Sequence, residues 1–222
     1  MHKLYRNSDV KSIYIFYLSA EEQKMKNEIM ELKKILEKAN NMLSEIVKEG
    51  AQHLKRGDMI AIGGYDWIVL KVEGGKLHCL LKGILKDRIF DPSNNDYRTS
   101  SIRAYLNNEF LMNLVKNIGE GYLNPISTDQ LSLDGQKEYG VLESEDQVGL
   151  LTVDMYRENR DILLNIDEWW WTATPWSTPC NDYKTAVCCI SSDGIIDFGD
   201  CFCNHAARPF CIFNTTIFVH NQ

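Results

Sequence analysis

From Ala20 to Glu49 apolar residues recur at helical spacing, and no Gly or Pro intervenes before Gly50. The pattern predicts one long helix. Ser19 is placed to cap it, with Glu21 and Glu22 in the first turn, where the helix dipole favours acids. Met25, Leu32, Ala39 and Ile46 fall seven residues apart. Ile35 and Met42 hold the companion seam position, where Glu28 is the one polar break, and Ile29, Leu36 and Leu43 widen the stripe. A stripe this broad suits a bundle of three or more helices, with packing against the chain's own globular domain as the alternative. Residues 1–19 contain the apolar run Ile13–Leu18, far below the ~20 residues of a membrane span. With Asp9 ahead of it, this run makes a poor signal-peptide core, so residues 1–19 read as a docking strand or leader.

Past Gly50 the period shortens to two. Met59–Ile62, Tyr65–Val72 and Lys76–Leu81 alternate as strands, and Gly63-Gly64 and Gly74-Gly75 punctuate them at hairpin spacing. They predict an antiparallel meander with Cys79 as a small core residue. The run Asp91–Asp96 is turn chemistry. Ser100 then caps a helix whose Ile102, Tyr105, Leu106 and Phe110 share one face, and a second helix is expected over residues 111–124. Residues 125–139 read as a connecting loop or short hairpin, 147–152 as a strand and 153–157 as a short helix. The whole predicts an α+β domain over residues 54–222, preceded by the helix over 20–50.

Composition narrows the function classes. With 44% hydrophobic and 25% charged residues in 222, the chain is an ordinary globular protein able to bury a core. A formal charge of -7 argues against general nucleic-acid binding. No stretch is long and apolar enough for membrane insertion.

The residues from Gly57 onward resemble an uncharacterised bacterial and phage domain family. The resemblance is carried by Gly57-Asp58, by Gly64-Tyr65-x-Trp67-x-Val69-Leu70, and by Ser101-Ile102-Arg103-x-x-Leu106-Asn107-x-Glu109-Phe110. It continues in Leu150-Leu151-Thr152, in Trp170-Trp171-Thr172-Ala173-Thr174-Pro175, in Asp193-Gly194 and in Ala206-Ala207-Arg208-Pro209. It covers about residues 54–213, and it departs from the family at Ala206-Ala207, where Gly-Val is usual. The resemblance implies a C-type-lectin-like fold, as in phage receptor-binding proteins and in the variable proteins of diversity-generating retroelements. It implies a protein or glycan ligand on a cell surface and a virion-associated or cell-surface location; the 20–50 helix lies outside it, and its apolar stripe separately predicts self-association.

Six of the seven cysteines lie between Trp169 and Phe213. Cys201-x-Cys203 with His205 could form half of a metal site, but no second close pair completes it, and no metal or cofactor is expected. A catalytic thiol would need a base and an orienting group, and His205 alone is near in sequence. Acid groups such as Asp197 with Asp200, or Glu143 with Glu145 and Asp146, lack the oxygen-ligand spacing of a calcium loop. Phosphate loops and nucleophile elbows are missing from the sequence. From Thr185 to Asn221 there is no Lys, Glu, Gln, Met or Trp. These are the types excluded when the adenines of Asn-type codons are randomised, and a β-rich core is itself poor in Lys, Glu and Gln. On this reading Tyr183, Cys189, Ser191, Asp193, Phe198, Asp200, Phe202, Cys203, Asn204 and His205 form one ligand-facing surface, and the cysteines belong to the varied set. Trp169–Pro175 and Arg208–Phe213 are its framework, with Arg208 pinning loops. The expected function is non-enzymatic recognition. The competing reading is a metal-binding protein or enzyme using the Cys/His cluster.

Overall fold

The computed structural model describes the backbone of residues 7–51 and 53–219 and the side chains of residues 21–42, 45 and 53–218. The chain forms two compact units, Met1–Glu49 and Gly50–Gln222.

The first unit is a helix, α1 (Asn7–Ala51). Ser19 is therefore an interior residue and not a cap, and the docking strand expected within residues 1–19 is helical from Asn7 onward; residues 1–6 lie outside the described residues. The apolar and β-branched residues at 13–18 lower helix propensity by only a few tenths of a kcal/mol each, ~0.7 at most. Adding turns to an existing helix is far easier than nucleating a new one, so the helix runs through them. Among the described residues no helix is long and apolar enough to cross a membrane.

The second unit is α+β. β1 (Met59–Ile62), β2 (Tyr65–Glu73) and β3 (Lys76–Leu81) make the expected antiparallel meander. Gly63, Gly64, Gly74 and Gly75 all have positive φ, the geometry that two-residue hairpins of matching twist demand. β4 (Leu85–Ile89) follows. α2 (Ser101–Tyr105) starts from Ser100, whose hydroxyl accepts the Arg103 N–H at 3.3 Å. Leu106–Phe110 continue in π geometry into α3 (Leu111–Ile118), which stops at Gly119 with φ 84°. The two expected helices are thus one continuous rod, and it ends earlier than residue 124. Ile102, Leu106, Phe110, Leu114 and Ile118 are all buried at strict four-residue spacing. Steps of four overshoot an α-turn by about 40°, and the wider π-turn absorbs part of that drift, keeping the row on one face.

Two short strands, β5 (Thr128–Asp129) and β6 (Val141–Leu142), pair with each other. Then come β7 (Val148–Gly149) and α4 (Val153–Asn159), the latter capped by Thr152. β8 (Trp170–Pro175), β9 (Ala186–Ile190), β10 (Ile196–Asp200), β11 (Asn204–Ala207) and β12 (Phe210–Asn214) complete the fold. One sheet has the order β1-β2-β3-β12-β7 and is antiparallel throughout. The other has the order β10-β9-β8-β11-β4, with β8 and β11 parallel and the remaining pairs antiparallel. Trp67, Phe90, Phe110, Trp171 and Phe213 belong to one buried cluster, and Leu80, Tyr156, Trp170 and Phe210 to another. Ala206 and Ala207 lie in β11 without positive φ, so alanine strains nothing at either position.

Candidate functional site

Cysteine chemistry is mostly removed from the surface by the fold. Cys188, Cys189, Cys201 and Cys211 are fully buried, as is Cys79, while Cys180 and Cys203 are exposed. Burial pushes the Cys188 thiol up to about 12 and that of Cys201 to about 11, and it raises Cys189 and Cys211 strongly. These thiols stay protonated, the opposite of what a ligand or nucleophile needs. Among the described residues no group of three or more His, Cys, Asp or Glu is arranged to hold a metal ion. Asp146 is tied to Arg103, with Nη2–Oδ1 at 3.0 Å.

The ten candidate residues do not form one surface. Cys189 is a core residue of β9, paired with Trp171 on one side and Asp197 on the other. Ser191 is also buried, and its hydroxyl accepts the Ile195 N–H at 3.0 Å inside the β9–β10 turn. Asp193 is exposed in that same turn, and the Ser191 hydroxyl beside it holds its carboxyl below the usual range. Four residue steps of ladder separate this turn from Asp200, roughly 14 Å at the rise of a strand. Cys189, Ser191 and the other core cysteines are therefore buried away from solvent, and Asp193 stands at the turn, apart from Asp200.

Toward the opposite end of the ladder lie Tyr183, Asp200, Phe202, Cys203 and Asn204, with Phe198 at mid-ladder. Cys201 anchors the chain after β10 through its backbone. Its N–H donates to Thr185 O at 2.8 Å, and its carbonyl accepts Phe90 N–H at 2.9 Å and Asp91 N–H at 3.0 Å. With that point fixed, Phe202, Cys203 and Asn204 project outward. Thr185 Oγ1 donates to Asp200 Oδ1 at 3.1 Å, joining the 181–185 loop to the same end. Tyr183, Phe198 and Phe202 are each about half exposed, at 52%, 46% and 53%. Phe198 packs on Trp176 with ring centroids 4.7 Å apart.

Sequence reasoning missed the residue that positions this loop. Asn95 is fully buried, and its amide donates to Ser177 O and Ala186 O at 2.8 Å and to Tyr183 O at 3.2 Å. Its side-chain oxygen accepts the Tyr139 hydroxyl at 2.7 Å, and its own N–H donates to Lys184 O at 2.8 Å. The only available signal was the Asn-rich turn at 91–96, which does not reveal partners some 80–90 residues away.

His205 is half-buried and forms an aromatic niche on the Gly199 side of β10, the face opposite Phe198 and Asp200. Its ring stacks on Trp169 at 5.7 Å and meets Trp171 at 4.4 Å. Burial lowers its pKa, so the imidazole is held neutral. Gly199 leaves room for it. A Cβ there would stand 2.6 Å from His205 Nε2 and 3.1 Å from the Trp171 ring. Gly199→Ala is therefore expected to displace the imidazole into solvent, raising its pKa toward the ordinary 6.5 and costing ~1–3 kcal/mol. Because folding depresses this pKa, the wild-type protein loses stability as pH falls below about 6.5 toward the folded value, and the alanine variant loses less over that window. NMR titration of His205 and urea melts between pH 5 and 7.5 check both statements; an unchanged His205 titration in Gly199→Ala would contradict them.

No family model, curated protein or solved structure matches the chain.

Proposed function

We propose that the second unit is a non-enzymatic recognition domain of C-type-lectin-like type, resembling receptor-binding proteins of phages and the variable proteins of diversity-generating retroelements. Its ligand is a protein or glycan on a cell surface, which places the protein on a virion or at a cell surface. The observation that carries this reading is a set of half-exposed aromatics, Tyr183 and Phe202 toward the Asp200 end of the β9–β10 ladder and Phe198 at its middle, on backbone anchored by Asn95 and Cys201, with Asp200, Cys203 and Asn204 exposed in the same segment. Rigid aromatic contact area with adaptable hydrogen-bonding groups around it is the usual make-up of a recognition surface.

Immobilised glycans and bacterial envelope-protein fractions serve as probes in a binding assay. Saturable binding is expected, weakened at least ~10-fold by Tyr183→Ala or Phe202→Ala, since anchor side chains at interface centres exceed ~1.4 kcal/mol each. Asp193→Ala, at the far turn, leaves affinity unchanged. Equal losses at both ends, or no saturable probe, would count against this surface. Diversification has a separate test. A reverse-transcriptase gene adjoining the coding sequence, with a near-copy of the segment for residues 170–213 mismatched at adenines, supports it, and the absence of such a copy removes it. Mismatches would fall on Tyr183, Asp200, Phe202, Cys203 and Asn204 and spare the buried cysteines.

A further inference from the structure

Every described side chain from Glu21 to Met42 in α1 is exposed. That includes Met25, Ile29, Leu32, Ile35, Leu36 and Met42, between 46% and 64% accessible. Surface apolar residues are ordinary singly, but a continuous stripe calls for a partner. The identity of the partner follows from the charges beside the stripe. With Met25, Leu32 and Ala39 at heptad position d and Ile29 and Leu36 at a, the flanking g positions are Glu21, Glu28, Ile35 and Met42. The flanking e positions are Lys26, Lys33 and Asn40. In a parallel coiled coil each g residue meets the e residue five positions later on the neighbouring helix. Glu21 then meets Lys26 and Glu28 meets Lys33, two complementary rungs supplied entirely by this chain. An antiparallel arrangement faces e with e, setting Lys26 against Lys33, and sets the Glu residues against Ile35 or Met42. Among the described residues of α1 the ion pair Lys34–Glu31, at 3.1 Å, uses positions f and c away from the seam.

We propose that α1 associates in parallel and in register with further copies of this chain, in a bundle of at least three helices held in orientation by the Glu21–Lys26 and Glu28–Lys33 rungs. Three or more are required because Ile35 and Met42 make g apolar, a width that a two-stranded seam leaves uncovered. The consequence is that each copy's second unit is tethered at the same end of the bundle, which converts single contacts into avidity. The inference stands on α1 alone and is independent of what the second unit binds.

Light scattering of the full chain is expected to give a mass of three or more chains. Leu32→Asp combined with Leu36→Asp is expected to give monomers. All five tryptophans lie between residues 67 and 176, so unchanged tryptophan emission shows that the second unit stays folded in that variant. Glu28→Lys weakens association several-fold, and adding Lys33→Glu restores it. Orientation is read by copper-phenanthroline oxidation in a Cys180→Ser/Cys203→Ser background. Met25→Cys chains are expected to cross-link to one another, and not to Ala39→Cys chains in a mixture. A mass of one or two chains, or cross-linking of position 25 to position 39, overturns the proposal.

Discussion

Arg208→Ala is expected to lower the unfolding free energy of the second unit by ~3–5 kcal/mol, measured as a shift of the urea midpoint followed by tryptophan emission. Arg208 lies where the chain leaves β11 in one sheet and enters β12 in the other. Its guanidinium is fully buried, donating from Nε to Leu81 O at 3.1 Å and from Nη2 to Lys82 O at 3.3 Å, both at the end of β3. It also lies 5.1 Å over the ring of Trp170 in β8. One side chain thus ties the two sheets together beside the Leu81 N–H to Pro209 O bond. Alanine removes charge-assisted bonds of ~1.5–3 kcal/mol each and a desolvated cation–π contact of ~2, and it leaves a cavity. Relief opposes these losses. Burial lowers the Arg208 pKa to about 10, so keeping the cation inside costs on the order of 3 kcal/mol. Arg208→Met keeps most of the volume and gains that relief, so it is expected to lose less than half as much as the alanine variant. A methionine variant as unstable as alanine would show that the carbonyl bonds dominate.

The parts of this fold that were legible in the sequence are those where one local signal decides the outcome. The meander followed from Gly63-Gly64 and Gly74-Gly75, because paired glycines at positive φ leave few alternatives to a tight hairpin. Ser100 and the row from Ile102 to Phe110 located α2 through capping and periodicity. β4 escaped because Leu85-Lys86-Asp87-Arg88-Ile89 is a charged edge strand whose partner, β11, is more than 100 residues away. The site was misread for a related reason. Alternation separates inside from outside only where one face of a strand is wet, and β9 is buried on both. Cys189 and its neighbour Cys188 were therefore indistinguishable from surface positions by pattern alone. The conspicuous cysteines are largely core, and what stands exposed near them is aromatic: Tyr183, Phe198 and Phe202.

The other large effect concerns Asn95, where loss of one amide should be felt both in stability and in the order of the Tyr183 loop. Asn95→Ala strands the carbonyl of Ser177 and the Tyr139 hydroxyl, and takes one donor from Ala186 O, which keeps the Trp176 N–H, at ~1–3 kcal/mol for each group left without a partner and ~3–5 kcal/mol in all once the loop relaxes. Hydrogen exchange at Tyr183–Ala186 should accelerate with it, because the Asn95 amide donates to Tyr183 O and Ala186 O inside that segment. Asn95→Asp gives the sharper test, since it preserves shape. Ionised, its carboxylate would face two or three carbonyl oxygens with nothing to donate; protonated, it regains one O–H. Folding therefore raises the pKa of the introduced carboxyl. The variant's deficit relative to wild type is smallest below about pH 3.9, the unfolded value, and grows as pH rises through the folded one. An Asn95→Asp variant as stable as wild type at every pH would mean that the amide acts by volume alone and that its donors do not hold the Tyr183 loop.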